Sequence, residues 1–188
     1  MDIREHSITL VSVIVGLGLT ELLGNLNRLV RSRRDVRWHA LPLIWATVCL
    51  FLVVNLWWGV YLGAIGIATP SNAGVFLLYL VVPVLLYLVC SAALPEFRTP
   101  GPLDLRAAYF ADSRYFPVLL LAYIVATLVQ GYLGAGHAQW TLTVLLLRVG
   151  IVVVLLPLVW VRQPWYHWFA ATFMLGILAL RMLTQTLR

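Results

Sequence analysis

Six apolar stretches, each close to the ~20 residues needed to cross a hydrocarbon core, divide this 188-residue chain from end to end. They run over 7–30, 38–65, 75–94, 116–133, 140–161 and 165–183, with short segments between them. Hydrocarbon offers peptide groups no hydrogen-bond partner, so an isolated run of this kind has to be helical. The spacing predicts an all-α, polytopic transmembrane helical bundle of six spans, forming a single integral membrane domain over residues 1–188. Composition agrees: 11% of the residues are charged, against about a quarter in soluble domains. No polar stretch is long enough to enclose a core of its own. The first apolar run is too long, and carries too many polar side chains, for a cleavable leader; it reads as a retained span.

The thirteen basic residues are all Arg, and their placement predicts orientation. Arg31, Arg33, Arg34 and Arg37 fall in the first connection, Arg98, Arg106 and Arg114 in the third, and Arg162 in the fifth; the second and fourth have none. By the positive-inside rule the odd connections face the cytoplasm and both termini lie on the extracytoplasmic side, as in a bacterial inner-membrane protein. The net charge of +6 thus reports how the chain sits in the bilayer. It does not indicate nucleic acid, which needs a basic face on a folded domain. Without Lys there is no Schiff-base chemistry. The Arg cluster of the first connection is a candidate site for anionic lipid. Trp38, Trp57, Trp58, Trp140, Trp160, Trp165 and Trp168 fall toward span ends, as an interfacial belt requires. An aromatic cage is the sharper alternative, and only the Trp57–Trp58 pair hints at it.

The connections read as turns at Thr69–Ala73, Gly134–Gln139 and Arg162–Pro164. The longest, Glu96–Arg114, breaks at Pro100, Gly101 and Pro102, and its second part, 103–114, suits a short interfacial helix or a loop with snorkelling Arg. Pro83 and Pro157 fall inside the third and fifth spans and predict kinks there.

Polar residues inside the spans hold what functional information there is. On the first span Ser12, Gly16, Thr20 and Gly24 recur at every fourth position, a small-residue seam suited to helix packing. Beside it Gly18, Glu21, Asn25 and Arg28 form a polar stripe. Glu21 and Arg148 come out within roughly two turns in depth, so an ion pair is expected, which would make the first and fifth spans neighbours. Such a pair reads either as a fixed bridge or as the lining of an aqueous path, with Asn25, Arg28 and Asn55 extending it. Gln130 is a further candidate to complete that ladder.

Cys49 and Cys90 sit in apolar runs as small hydrophobes. His39 and His167 fall near one membrane face and His6 and His137 near the other, so a two-haem carrier can be sketched, although the positions are shallow. No residue spacing suggests a metal site, a phosphate loop or a hydrolase motif. An enzyme would have to gather Asp104, Asp112, His39 and His167 at one face. The leading expectation is a homo-oligomeric channel or transporter for an ion or small polar solute. A non-transporting membrane subunit that senses or scaffolds with a partner is the alternative, and a haem-binding or other intramembrane enzyme comes third.

Overall fold

The computed structural model describes residues 3–61, 73–95, 102–111, 114–135 and 142–186. Each of the six apolar stretches holds a helix among the described residues: α1 Ile3–Arg31, α2 Ala40–Tyr61, α3 Ala73–Ala92, then, after the short α4 Leu105–Ala111, α5 Tyr115–Ala135, α6 Leu142–Leu155 and α7 Pro164–Thr186. Among the described residues four are long and apolar enough to cross a membrane, over Ile8–Arg31, Ala40–Val60, Tyr115–Tyr132 and Pro164–Leu183, while α3 and α6 contribute shorter apolar runs, Tyr79–Ala92 and Val144–Val159. The protein is an all-α, multi-pass membrane protein. The expected turns at Thr69–Ala73 and Gly134–Gln139 lie outside the described residues except at their edges, and so do Arg98, Asp112, His137 and Trp140.

The helices close into a ring. α1 packs on α3, α3 on α5, α5 on α6, α6 on α7, α7 on α2 and α2 back on α1, with α2 also touching α3 across the middle. This order corrects one expectation. α1 has α2 and α3 as neighbours whereas α6 has α5 and α7, so the first and fifth spans stand on opposite sides and Glu21 and Arg148 do not pair.

α1 meets the ring along Val11, Val15, Gly18, Leu22, Asn25 and Leu29, all buried. Their alternating steps of four and three keep one stripe facing a neighbour. Gly18 marks the closest approach: a Cβ there would lie 3.3 Å from the Tyr87 Cα and 3.8 Å from the Cys90 side chain. The Ser12, Gly16, Thr20 and Gly24 seam faces the other way. Gly16 and Thr20 are exposed, and a Cβ on Gly16 would meet nothing within 4 Å.

The two internal prolines act differently. α3 runs on through Pro83, which is buried. At Pro157 the α-helix stops instead of bending: Leu156–Val159 tightens into a 3-10 turn, closed by Trp160 and Val161 N–H groups on the Pro157 carbonyl at 3.0 and 2.8 Å. Among the carbonyls near this break, that of Val154 accepts the Tyr166 hydroxyl at 2.8 Å, so α7 caps the end of α6.

A two-residue parallel ladder, β1 Val36–Arg37 with β2 Leu103–Asp104, ties the first long connection to the third. Leu103 N–H also donates to the Asp35 carbonyl at 2.7 Å. α4 follows at once and packs on α2, with Leu105 fully buried, so its apolar side is docked on protein. Exposure of Trp38, Trp57, Trp160 and Trp165 fits rings at headgroup depth, while Trp45 is wholly buried.

Gly18→Val is expected to lower unfolding free energy by about 1–3 kcal/mol through overpacking, because Tyr87 backbone cannot give way. Gly16→Val, measured in enough detergent to keep the copies apart, should stay within about 0.5 kcal/mol of the parent. Denaturant titration of the two variants checks the ranking.

Candidate functional site

The first constellation lies on the flank of α1. Asn25 is 2% exposed, and its Nδ2 donates to Glu21 Oε1 at 3.3 Å, one turn away on the same helix. Glu21 itself is half-buried. Arg28 lies back along α1, its Nη2 3.9 Å from the position a Gly24 Cβ would take. Glu21, Asn25 and Arg28 therefore share one flank, as their spacing predicts. The other expected members stand elsewhere. Asn55 is on α2 with a buried Nδ2 that makes no hydrogen bond. Arg148 is on α6, where the charge acting on it is Arg181 of α7. The buried polar residues among those described are Asn25 and His167, so the interior of one copy is an apolar core there.

The second constellation was not visible in the sequence. It forms at the ring end that holds the Arg-rich connections, where α4 turns back onto α2 and α7. Asp104 Oδ1 accepts the N–H groups of Arg106 and Ala107 at 2.9 and 3.1 Å, an N-cap for α4. The Ala107 N–H holds this exposed carboxyl below the usual aspartate range, helped by the Arg106 N–H and by the Arg37 and Arg106 guanidiniums. One turn on, Tyr109 Oη and His167 Nδ1 are 2.9 Å apart, and His167 Nε2 is 2.8 Å from the Val161 carbonyl. A carbonyl only accepts, so Nε2 bears the proton and Nδ1 accepts the phenol O–H. Burial pushes the Tyr109 phenol up, which keeps it a donor. Phe110 packs edge-on against both rings, at 5.1 Å from Tyr109 and 5.4 Å from His167.

Beside Tyr109 lies the Trp45 indole, fully buried, whose Nε1 reaches no hydrogen-bond partner. Trp45 also stacks edge-on against Phe116 at 5.1 Å.

Of the four His in the haem sketch, His167 has both ring nitrogens committed to protein. His39 accepts the Leu41 N–H at 3.4 Å and sets its ring 5.9 Å from Trp168. His137 lies outside the described residues, and so does the His6 side chain. No group of three or more His, Cys, Asp or Glu suited to a metal occurs among the described residues. Cys49 and Cys90 are free and fully buried, facing each other between α2 and α3. The Trp57 and Trp58 rings sit 6.3 Å apart at 47°, with Trp57 turned outward, which is not a cage.

Comparison with protein-family models, with curated proteins and with solved structures gives no match. Fold and site define a class, a helical multi-pass membrane protein with a polar flank on α1 and a buried Tyr–His pair at its Arg-rich end.

Tyr109→Phe is expected to cost about 1–3 kcal/mol, because it strands the buried His167 Nδ1. Adding His167→Phe should cost less than its single effect, since that partner no longer matters; a double-mutant cycle in detergent measures the coupling. Folding lowers the Asp104 pKa, so its contribution is complete above the ordinary aspartate range and is lost as pH falls through the lowered value. Asp104→Asn should flatten this acid limb of stability, read by unfolding across that range.

Proposed function

We propose that the protein is a bacterial inner-membrane protein that crosses the bilayer six times, with both termini on the extracytoplasmic side. In this reading its copies meet along the outer flank of α1, and a path for a proton, cation or small polar solute forms at their junction. The observation that carries it is the Glu21 carboxylate, half-buried, bonded only to Asn25, and beside a small-residue seam that the chain leaves open. A charge held in mid-bilayer costs about 2.5–3.5 kcal/mol by insertion scales unless it is met by water or by another polar group. Asn25 supplies one neutral hydrogen bond, which leaves the charge itself unmatched within the copy, so the rest of that company has to come from outside it. Gly16 and Gly24 admit the backbone of a second helix, and the exposed Arg28 extends the polar surface from Glu21 toward the Arg-rich end, with Asn25 supporting Glu21 from behind. Asn55 and Arg148 stand off this flank.

A second reading keeps the same face and changes the occupant: a non-transporting subunit whose α1 docks the helix of another membrane protein. It is favoured by the apolar interior of the single copy, which needs no path within it.

Two measurements separate these readings. In proteoliposomes the parent protein should pass protons or monovalent cations, and Glu21→Gln should abolish flux while its melting temperature stays near the parent value. Gly16→Leu should dissociate the oligomer on size-exclusion chromatography and remove flux with it. A parent protein that is monomeric and carries no flux, yet retains a foreign membrane chain only while Gly16 and Glu21 are intact, establishes the subunit reading instead.

A further inference from the structure

Independent of any path along α1, we propose that the ladder-bound end of the ring is a binding surface for the phosphate of anionic phospholipid headgroups. The first connection alone supplies four Arg. Folding adds two more: Arg28 lies with Arg31 on the last turn of α1, and the Val36↔Leu103, Arg37↔Asp104 pairing brings Arg106 to the same place. Arg28, Arg31, Arg33, Arg34, Arg37 and Arg106 are all exposed. The acids among them are Asp35 and Asp104, and Asp104 is committed to the α4 N-terminus. A cluster of this size lies within the range of four to eight basic residues that recognises anionic lipid.

Depth argues for lipid over a soluble anion. The cluster begins where α1 ends, and Trp38 follows it at 43% exposed before α2 enters the apolar layer. Across the same end of the ring Trp160 and Trp165 are each 65% exposed. Rings in these positions set the headgroup level, and the guanidiniums share it. Topology alone asks only for a count of positive charge near the span ends. It does not ask for two connections to be hydrogen-bonded together, and that pairing fixes the Arg37 segment beside the start of α4, which carries Arg106. A planar guanidinium offers paired N–H donors that match phosphate oxygens.

The test uses the full-length protein in neutral detergent, with phosphatidylglycerol or phosphatidylcholine added as mixed micelles and inorganic phosphate as a third probe. Phosphatidylglycerol should raise the melting temperature and remain attached in native mass spectrometry; phosphatidylcholine and phosphate should do neither. The triple variant Arg33→Gln, Arg34→Gln, Arg106→Gln should bind phosphatidylglycerol roughly a hundredfold more weakly, as expected for about fivefold per Arg, and added salt should weaken the parent in the same direction. Equal retention of phosphatidylcholine by the parent overturns the proposal without recourse to any variant. It is also overturned if phosphate alone reproduces the thermal shift, which makes this a small-anion site, or if the folded triple variant binds as the parent does.

Discussion

In hydrocarbon a peptide group has to find its partner inside the chain, and that demand explains both the helices and the places where they end. At Pro157 the ladder of α6 gives out, and the Tyr166 hydroxyl of α7 meets the Val154 carbonyl. Side-chain hydroxyls obey the same rule. Thr20 donates to the Gly16 carbonyl at 2.8 Å, Thr47 to Leu43 at 2.9 Å and Thr172 to Trp168 at 2.9 Å, each within its own helix. These threonines are polar in name only, because their hydrogens are already spent. Glu21 differs, since an amide one turn away neither neutralises nor encloses a carboxylate.

The helices were legible because length and hydropathy are summed over twenty residues, whereas the face that α1 turns to the ring was not, since the small-residue seam that suggests a packing face lies on the opposite side. What hydropathy lacks is the order of helices around the ring. Depth along the bilayer can be counted from a span's end, which put Glu21 and Arg148 at similar levels, but azimuth cannot, and they fell on opposite sides. The Arg-rich end was illegible for another reason. A ladder two residues long has no periodicity, and Tyr109 and His167 are 58 positions apart. Trp45 sits only a few residues into its span, where a belt Trp would also stand, yet it is wholly buried, so depth alone does not distinguish the two roles. Among the described Trp residues near other span ends, Trp38, Trp57, Trp160 and Trp165 are exposed and Trp58 and Trp168 are half-buried.

Two kinds of polar site follow, and their settings differ in dielectric. At the Arg-rich end Asp104 is exposed, and water screens its neighbours, so its partnership with Arg37 and Arg106 contributes placement more than energy. The Tyr109–His167 pair packs against Phe110 and Trp45, and there an unmet donor is costly; the pair is satisfied, while the Trp45 Nε1 beside it is not. Neutral partners meet that need at less cost than an ion pair would, which fits a Tyr and a single-proton imidazole where a carboxylate and an Arg would also close the geometry.

The outward faces of the ring also differ. α6 turns Leu145, Leu146, Leu147, Val149 and Val153 outward, with Leu146 at 62% exposed and Val153 at 61%. Branched side chains of that size keep a neighbouring backbone at a distance and suit acyl chains. α1 presents Gly16, Thr20 and Gly24 between the exposed Leu17 and Leu23, a shallow groove with aliphatic walls. Acyl chains gain little from a groove so narrow, whereas a helix backbone fills it and gains van der Waals contact along its length. Of the two faces, the one suited to another helix is also the one beside the only acid within the described spans, and this coincidence of shape and charge distinguishes α1 from the other five long helices.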